Sequence, residues 1–178
     1  MRLLVLSIVM VTTALFNAPA DAREKPYTYI NWGCDRQVTW KTNAKAKFVS
    51  YWMTKIDSQI TADFTRKKKG RADIVIKFMP SKKIERVVGI DSLAGYTSYK
   101  FVYDPVRLTK TRVWADNSSG DLYAKKVFLH EIWHAIGVKG HVNHRYSILN
   151  TPVTAHWLSL NLPNQADWNL LKKVDRYC

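Results

Sequence analysis

The chain has 178 residues and a net charge of +14, from 28 Lys and Arg against 14 Asp and Glu, with 47% hydrophobic residues. This length and apolar content suit one packed domain and exclude a disordered chain. The basic excess bears on attraction to an anionic surface or an acidic partner, not on chemistry, and no nucleic-acid motif accompanies Lys67-Lys68-Lys69, Lys82-Lys83, Lys125-Lys126 or Lys172-Lys173.

At the start, Arg2 precedes an apolar run from Leu3 to Phe16 and the small-residue stretch Ala18-Pro19-Ala20-Asp21-Ala22. That is the layout of a cleavable secretory signal, and the run is shorter than the ~20 residues needed to cross a hydrocarbon core. We therefore expect residues 1–22 to be a signal peptide and 23–178 a single functional domain, secreted or periplasmic, monomeric and without a transmembrane anchor after cleavage. Two cysteines, Cys34 and Cys178, lie near the two ends of that domain, and an oxidising compartment favours joining them. In the chain-entropy picture so long a loop is worth about 4–5 kcal/mol. A competing reading leaves Cys34 as a thiolate that blocks a metal, but no recognisable inhibitory segment surrounds it.

A short strand is expected at Gln37 to Lys41. Phe48, Tyr51, Trp52, Ile56 and Ile60 then recur at helical spacing behind the candidate cap Asn43, predicting a helix over Ala44 to Gln59. Ala72 to Phe78 reads as a central strand, with Ile74, Ile76 and Phe78 on one face and Val75 on the other. Leu93 to Tyr99 and Thr111 to Ala115 are two more strand candidates, separated by a turn at Asp104-Pro105. A helix can run from Asp121 to Ile136 and stop at Gly137, a residue suited to a left-handed cap. The last helix, Gln165 to Arg176, follows Pro163 and the candidate cap Asn164. Strand, helix and strand in succession suggest a partly parallel sheet with a crossover helix on one face.

The chemistry concentrates in His130-Glu131-Ile132-Trp133-His134. Residues four apart share a helical face, so both imidazoles can reach one metal while Glu131 meets the water in the metal's open position. Zinc suits this set, because it takes neutral imidazole nitrogens and a catalytic site keeps one position for water. Glu131 would then act as general base and pass the proton to the leaving amine. A pair of histidines on a helix is a common accident, but a catalytic zinc needs a third protein ligand and four of the five histidines fall between His130 and His144. No Glu follows Glu131, so the third ligand comes from a histidine, Asp167 or Asp175. Gly137 and Gly140 favour His141 by allowing a tight return, whereas His144 stands beside the cationic Arg145.

His130 to His141, HEIWHAIGVKGH, resembles the extended metzincin signature in its matrixin-like form, with one extra glycine before the third histidine. Upstream, RADIVIKF resembles the family's central strand, LAGYT its edge strand above the cleft and RVWAD the strand after it. The resemblance implies an α+β fold: a five-stranded mixed twisted sheet, two main helices and a small C-terminal lobe below a cleft. It also implies one catalytic zinc on His130, His134 and His141, and a peptide or protein substrate extended along Leu93, Ala94, Gly95 and Tyr96. Such enzymes place a methionine in a tight turn beneath the metal, and in YSILN the matching position is Leu149, close to Met in volume. Only His156 remains for the additional histidine sites of matrixins, so no second zinc is expected.

Together these features point to a secreted zinc endopeptidase. The alternative is a zinc-containing binding protein or degenerate homologue that holds an anionic partner on its basic face, and Glu131 argues against it, since a binding module has no need of a base beside a ligand. Tyr146 is a candidate hydrogen-bond donor near the metal, Asn117-Ser118-Ser119 matches a glycosylation acceptor, and Thr151 to Leu162 would wall the specificity pocket.

Overall fold

A computed structural model describes residues 28–34, 36–103, 106–141, 147–150 and 162–176. Along the chain run β1 (Thr28–Tyr29), β2 (Gln37–Thr42), α1 (Ala46–Asp57), β3 (Asp63–Arg66), β4 (Ile74–Met79), α2 (Ser81–Val88), β5 (Gly95–Tyr103), β6 (Val106–Asp116), α3 (Asp121–Ile136), β7 (Val138–Lys139) and α4 (Gln165–Asp175). The architecture is the expected α+β one. Five strands in the order β3-β2-β4-β6-β5 make a mixed sheet, parallel except where β5 pairs antiparallel with β6.

Strand β4 is central because its alternate residues fill the core: Ile74, Ile76 and Phe78 are buried, while Val75 and Met79 are half-buried and Lys77 is exposed. They meet Val49, Trp52, Met53 and Ile56 from α1 and nearly the whole length of α3, from Ala124 to Ile136. The helix α3 therefore has no solvent face beyond its first turn, which hides the periodicity that an amphipathic helix would display.

Three expectations need correction. Helix α1 starts at Ala46, and Asn43 does not cap it. The Asn43 side chain donates to Phe78 O at 3.0 Å and accepts from Phe78 N at 2.8 Å, so it extends the β2–β4 ladder instead. Tyr51 faces solvent and Ile60 lies beyond the helix end, because Val49 and Met53 take the buried positions of α1. The edge strand begins at Gly95 and not at Leu93. Strands β1, β3 and β7 and helix α2 are short and were not foreseen. The proposed turn at Asp104-Pro105 and most of the C-terminal lobe lie outside the described residues.

At the end of α3, Gly137 has φ 126°, and its N–H donates to His134 O and Trp133 O. An added Cβ would stand 2.0 Å from Ile30 O. Both conformation and space therefore demand glycine. The same peptide is pinned from outside, because Ile30 N donates to Gly137 O and β1 pairs antiparallel with β7 immediately beyond. Buried Trp32 adds Nε1–H to Ala135 O at 3.1 Å. We expect Gly137→Ala to destabilise the domain by about 2 kcal/mol or more. Urea unfolding measures it, and a loss within a few tenths of a kcal/mol would show that the turn tolerates a side chain.

Candidate metal centre and active site

Helix α3 carries His130 and His134 on one face, and the turn at Gly137 brings His141 back to them. The three Nε2 atoms form a triangle with all three edges 3.2 Å. No hydrogen bond explains that triangle if each Nε2 bears a lone pair, and the other ring nitrogens show that two do. His130 Nδ1 lies 2.6 Å from Ile148 O, and His134 Nδ1 lies 2.8 Å from Val138 O. A carbonyl only accepts, so each Nδ1 carries the hydrogen and each Nε2 points its lone pair inward.

Converging lone pairs repel unless a cation stands among them. Two ligands held ~2.0–2.1 Å from one tetrahedral metal are ~3.3–3.4 Å apart, close to the observed edges, so the donor set fits zinc. Burial works in the same direction. It pushes the His134 imidazole down to about 4 and that of His141 down to about 3, and it holds His130 well below its ordinary value of 6.5, helped by the two neighbouring histidines. The rings are thus neutral at pH 7, the form in which imidazole binds a metal.

Beneath the cluster, Ser147 to Leu149 form a turn held from α4 by the wholly buried Asp167. Its carboxylate accepts from Ser147 Oγ at 2.5 Å, Ile148 N at 3.3 Å and Asn164 N at 2.9 Å, while Asp167 N donates to Asn164 Oδ1 to complete a capping box. One residue thus caps α4 and sets the carbonyl that orients His130. Leu149, which the sequence resemblance matches to the family methionine, is fully buried in this turn. The aspartates weighed as third ligands are occupied elsewhere: Asp175 accepts from Thr61 N and Oγ1. His144, Tyr146, His156 and nearly all of the loop from Thr151 to Leu162 lie outside the described residues, as does Cys178, the proposed partner of Cys34.

Glu131 is buried, and burial raises its carboxyl to about 8 against the opposing hydrogen bond from Thr97. It lies under β5, one of the two edge strands of the five-stranded sheet. Asp116 N donates to Ala94 O at 2.7 Å, so by antiparallel alternation the main chains of Gly95 and Thr97 turn away from β6, towards the outer edge. Of the four residues expected to hold substrate, Leu93 and Tyr96 pack their side chains into a small second core with Ile84 and Trp114. Gly95 is closed to any side chain: a Cβ there would lie 2.4 Å from Val127 Cγ1 and 2.8 Å from Glu131 Oε1. Thr97 and Asp167 were not recognised from sequence as supports of the site. The capping pattern Asn164 to Asp167 signals a helix start but not what else the carboxylate reaches.

A scan against protein families matches residues 25–172 to Matrixin. The chain belongs to the matrixin family. A search of curated proteins finds none that matches. Membership makes this matrixin a zinc metallopeptidase in general type, with peptides or proteins as its substrate class, and the three histidines stand as the family signature requires. No helix among the described residues is long and apolar enough to cross a membrane.

The buried groups of this matrixin set a pH dependence for the metal-free fold. Folded histidines refuse protons that the unfolded chain accepts below about 6.5, so stability falls as pH drops below that value. Glu131 acts oppositely: its proton is held in the folded state up to about 8 and released in the unfolded chain above 4.5, so stability falls as pH rises between them. Three histidines outweigh one carboxyl below 6.5, and the carboxyl acts alone above. Urea unfolding of the chelated protein should therefore show greatest stability near pH 6.5, and Glu131→Gln should lose the decline towards pH 8. A variant that keeps that decline would mean that Glu131 is not its source.

Proposed function

We propose that this matrixin is a secreted, monomeric endopeptidase with one catalytic zinc on His130, His134 and His141 and with Glu131 as general base. The observation that carries the reading is the 3.2 Å triangle of inward-facing Nε2 atoms with a carboxylate on the next residue of the same helix. Zinc, when bound, supplies a Lewis acid that lowers the pKa of water and polarises the scissile carbonyl.

The protein's own groups do the rest. Ile148 O and Val138 O fix the tautomers of two ligands, so the imidazoles do not reorient during turnover. Glu131 takes a proton from the attacking water and returns it to the leaving amine; a divalent cation beside it opposes the upward push of burial and favours the charged base. The outward-turned main chain of Gly95 and Thr97 offers donors and acceptors to an extended substrate of any sequence, as a strand added to the sheet edge.

The export signal over residues 1–22 and the Cys34–Cys178 bond belong to the same proposal, since an exported chain meets an oxidising compartment. The basic surface fits attraction of acidic substrates or an anionic surface, with Lys47, Lys55 and Arg66 bordering one open depression beside Tyr51.

Purified protein should hold close to one equivalent of zinc, lose peptide cleavage to a strong chelator and regain it with added zinc. Full activity at below about a tenth of an equivalent would sink the metal assignment. Glu131→Gln should keep zinc and fold while cutting turnover by ~10²-fold or more, and normal turnover would instead favour the metal-holding binding protein. His141→Ala should weaken zinc by orders of magnitude and His144→Ala should not; the reverse ranking would reassign the third ligand. Mass spectrometry of the native exported protein should find no free thiol, and two free thiols would refute the Cys34–Cys178 bond.

A further inference from the structure

The proposed base has a buried hydroxyl beside it, on Thr97, that the reading above does not use. Thr97 is 1% exposed and Glu131 2% exposed, and their contact lies between the edge strand β5 and helix α3. Thr97 Oγ1 stands 2.6 Å from Glu131 Oε2 and 2.9 Å from the Glu131 main-chain oxygen. Glu131 O belongs to the helix, whose own ladder supplies it with a donor, so the shorter contact to the carboxylate is the one that changes what Glu131 does.

The other carboxylate oxygen has a different neighbourhood. A Cβ at Gly95 would fall 2.8 Å from Glu131 Oε1 and 2.9 Å from Glu131 Cγ, so the absence of a side chain there makes the space this carboxylate occupies. Gly95 and Thr97 are two apart on one strand and so present the same face to α3. One residue leaves room and the other supplies a hydroxyl.

We propose that Thr97 is the positioning residue for Glu131: its hydroxyl anchors Oε2, and Oε1, on the Gly95 side, is the oxygen that exchanges protons with the reacting water. This rests on the reading of Glu131 as general base. A carboxylate on a flexible side chain can rotate about its last bonds, and one short hydrogen bond to a buried hydroxyl on a sheet strand removes that freedom. The anchor lies on the strand whose main chain at 95 and 97 turns to the outer edge, so a substrate paired there abuts the two residues that seat the base. Substrate register and base position are therefore set by one strand.

The test compares Thr97→Val, which keeps the shape and removes the hydroxyl, with Thr97→Ser, which keeps the hydroxyl, on the zinc-loaded protein with a peptide substrate. Thr97→Val should lower kcat roughly ten- to hundredfold, as expected for one hydrogen bond to a charged group, with KM and bound zinc unchanged. Thr97→Ser should restore kcat to within a few-fold of the parent. The proposal is overturned if Thr97→Val turns over like the parent, if Thr97→Ser is as impaired as Thr97→Val, or if Thr97→Val loses zinc together with rate. Glu131→Gln separates the two levels. Normal turnover there overturns the base assignment itself, whereas a dead Glu131→Gln beside an unimpaired Thr97→Val overturns only the role of Thr97.

Discussion

The arrangement depends on bringing together three imidazoles, two buried and one half-buried, whose Nε2 atoms converge on one point. Such a cluster is costly in an apolar interior unless every remaining ring N–H finds an acceptor and a cation takes the centre. The surrounding chain meets the first demand for two of the rings with main-chain carbonyls, Val138 O for His134 and Ile148 O for His130. Each carbonyl must itself be held still, and that explains features that would otherwise look unrelated. The β1–β7 pair and the bond from Ile30 N to Gly137 O fix the segment bearing Val138. Asp167 fixes the segment bearing Ile148, by reaching from α4 to Ser147 Oγ and Ile148 N.

This division also accounts for what could be read from the sequence. Local signals were legible: the span Asp121 to Ile136 and its stop at Gly137 follow from glycine's access to positive φ, and the Asn164 cap follows from side-chain chemistry confined to one turn. The central strand at Ile74 was legible because burial on alternate residues leaves a period of two. Spacing on the helix paired His130 with His134, and the glycines at 137 and 140 together with the family resemblance added His141. What failed depends on contacts far apart in the chain. Asn43 reads as a helix cap until Phe78, 35 residues on, is seen to take both ends of its amide. Tyr51 fits the helical period as well as Val49 or Met53 does, and only the neighbouring sheet decides which face is buried.

The supports of the site were hidden for the same reason. Thr97 reaches Glu131 across 34 residues and Asp167 reaches Ser147 across 20, so no local pattern announces either contact. A threonine in a strand is ordinary, and an aspartate three residues after a cap is fully explained by the cap. Their second duties follow only from the packing of α3 between the edge of the sheet and α4.

Leu149 shows which properties of the turn beneath the histidine cluster matter. It is fully buried and follows Ile148, whose carbonyl is the acceptor for His130. A side chain there acts through volume and apolarity, and Leu supplies nearly what Met does with fewer rotamers to fix. The hydrogen bonds that shape the turn come instead from Ser147 and Asp167: Leu149 N donates to Ser147 Oγ at 3.0 Å, and Ser147 Oγ donates in turn to Asp167. The hydroxyl and carboxylate that set the Ile148 carbonyl are thus independent of the residue at 149. A turn built this way tolerates exchange at its apolar position while keeping the His130 ring in register, so leucine at 149 is compatible with the three-histidine cluster.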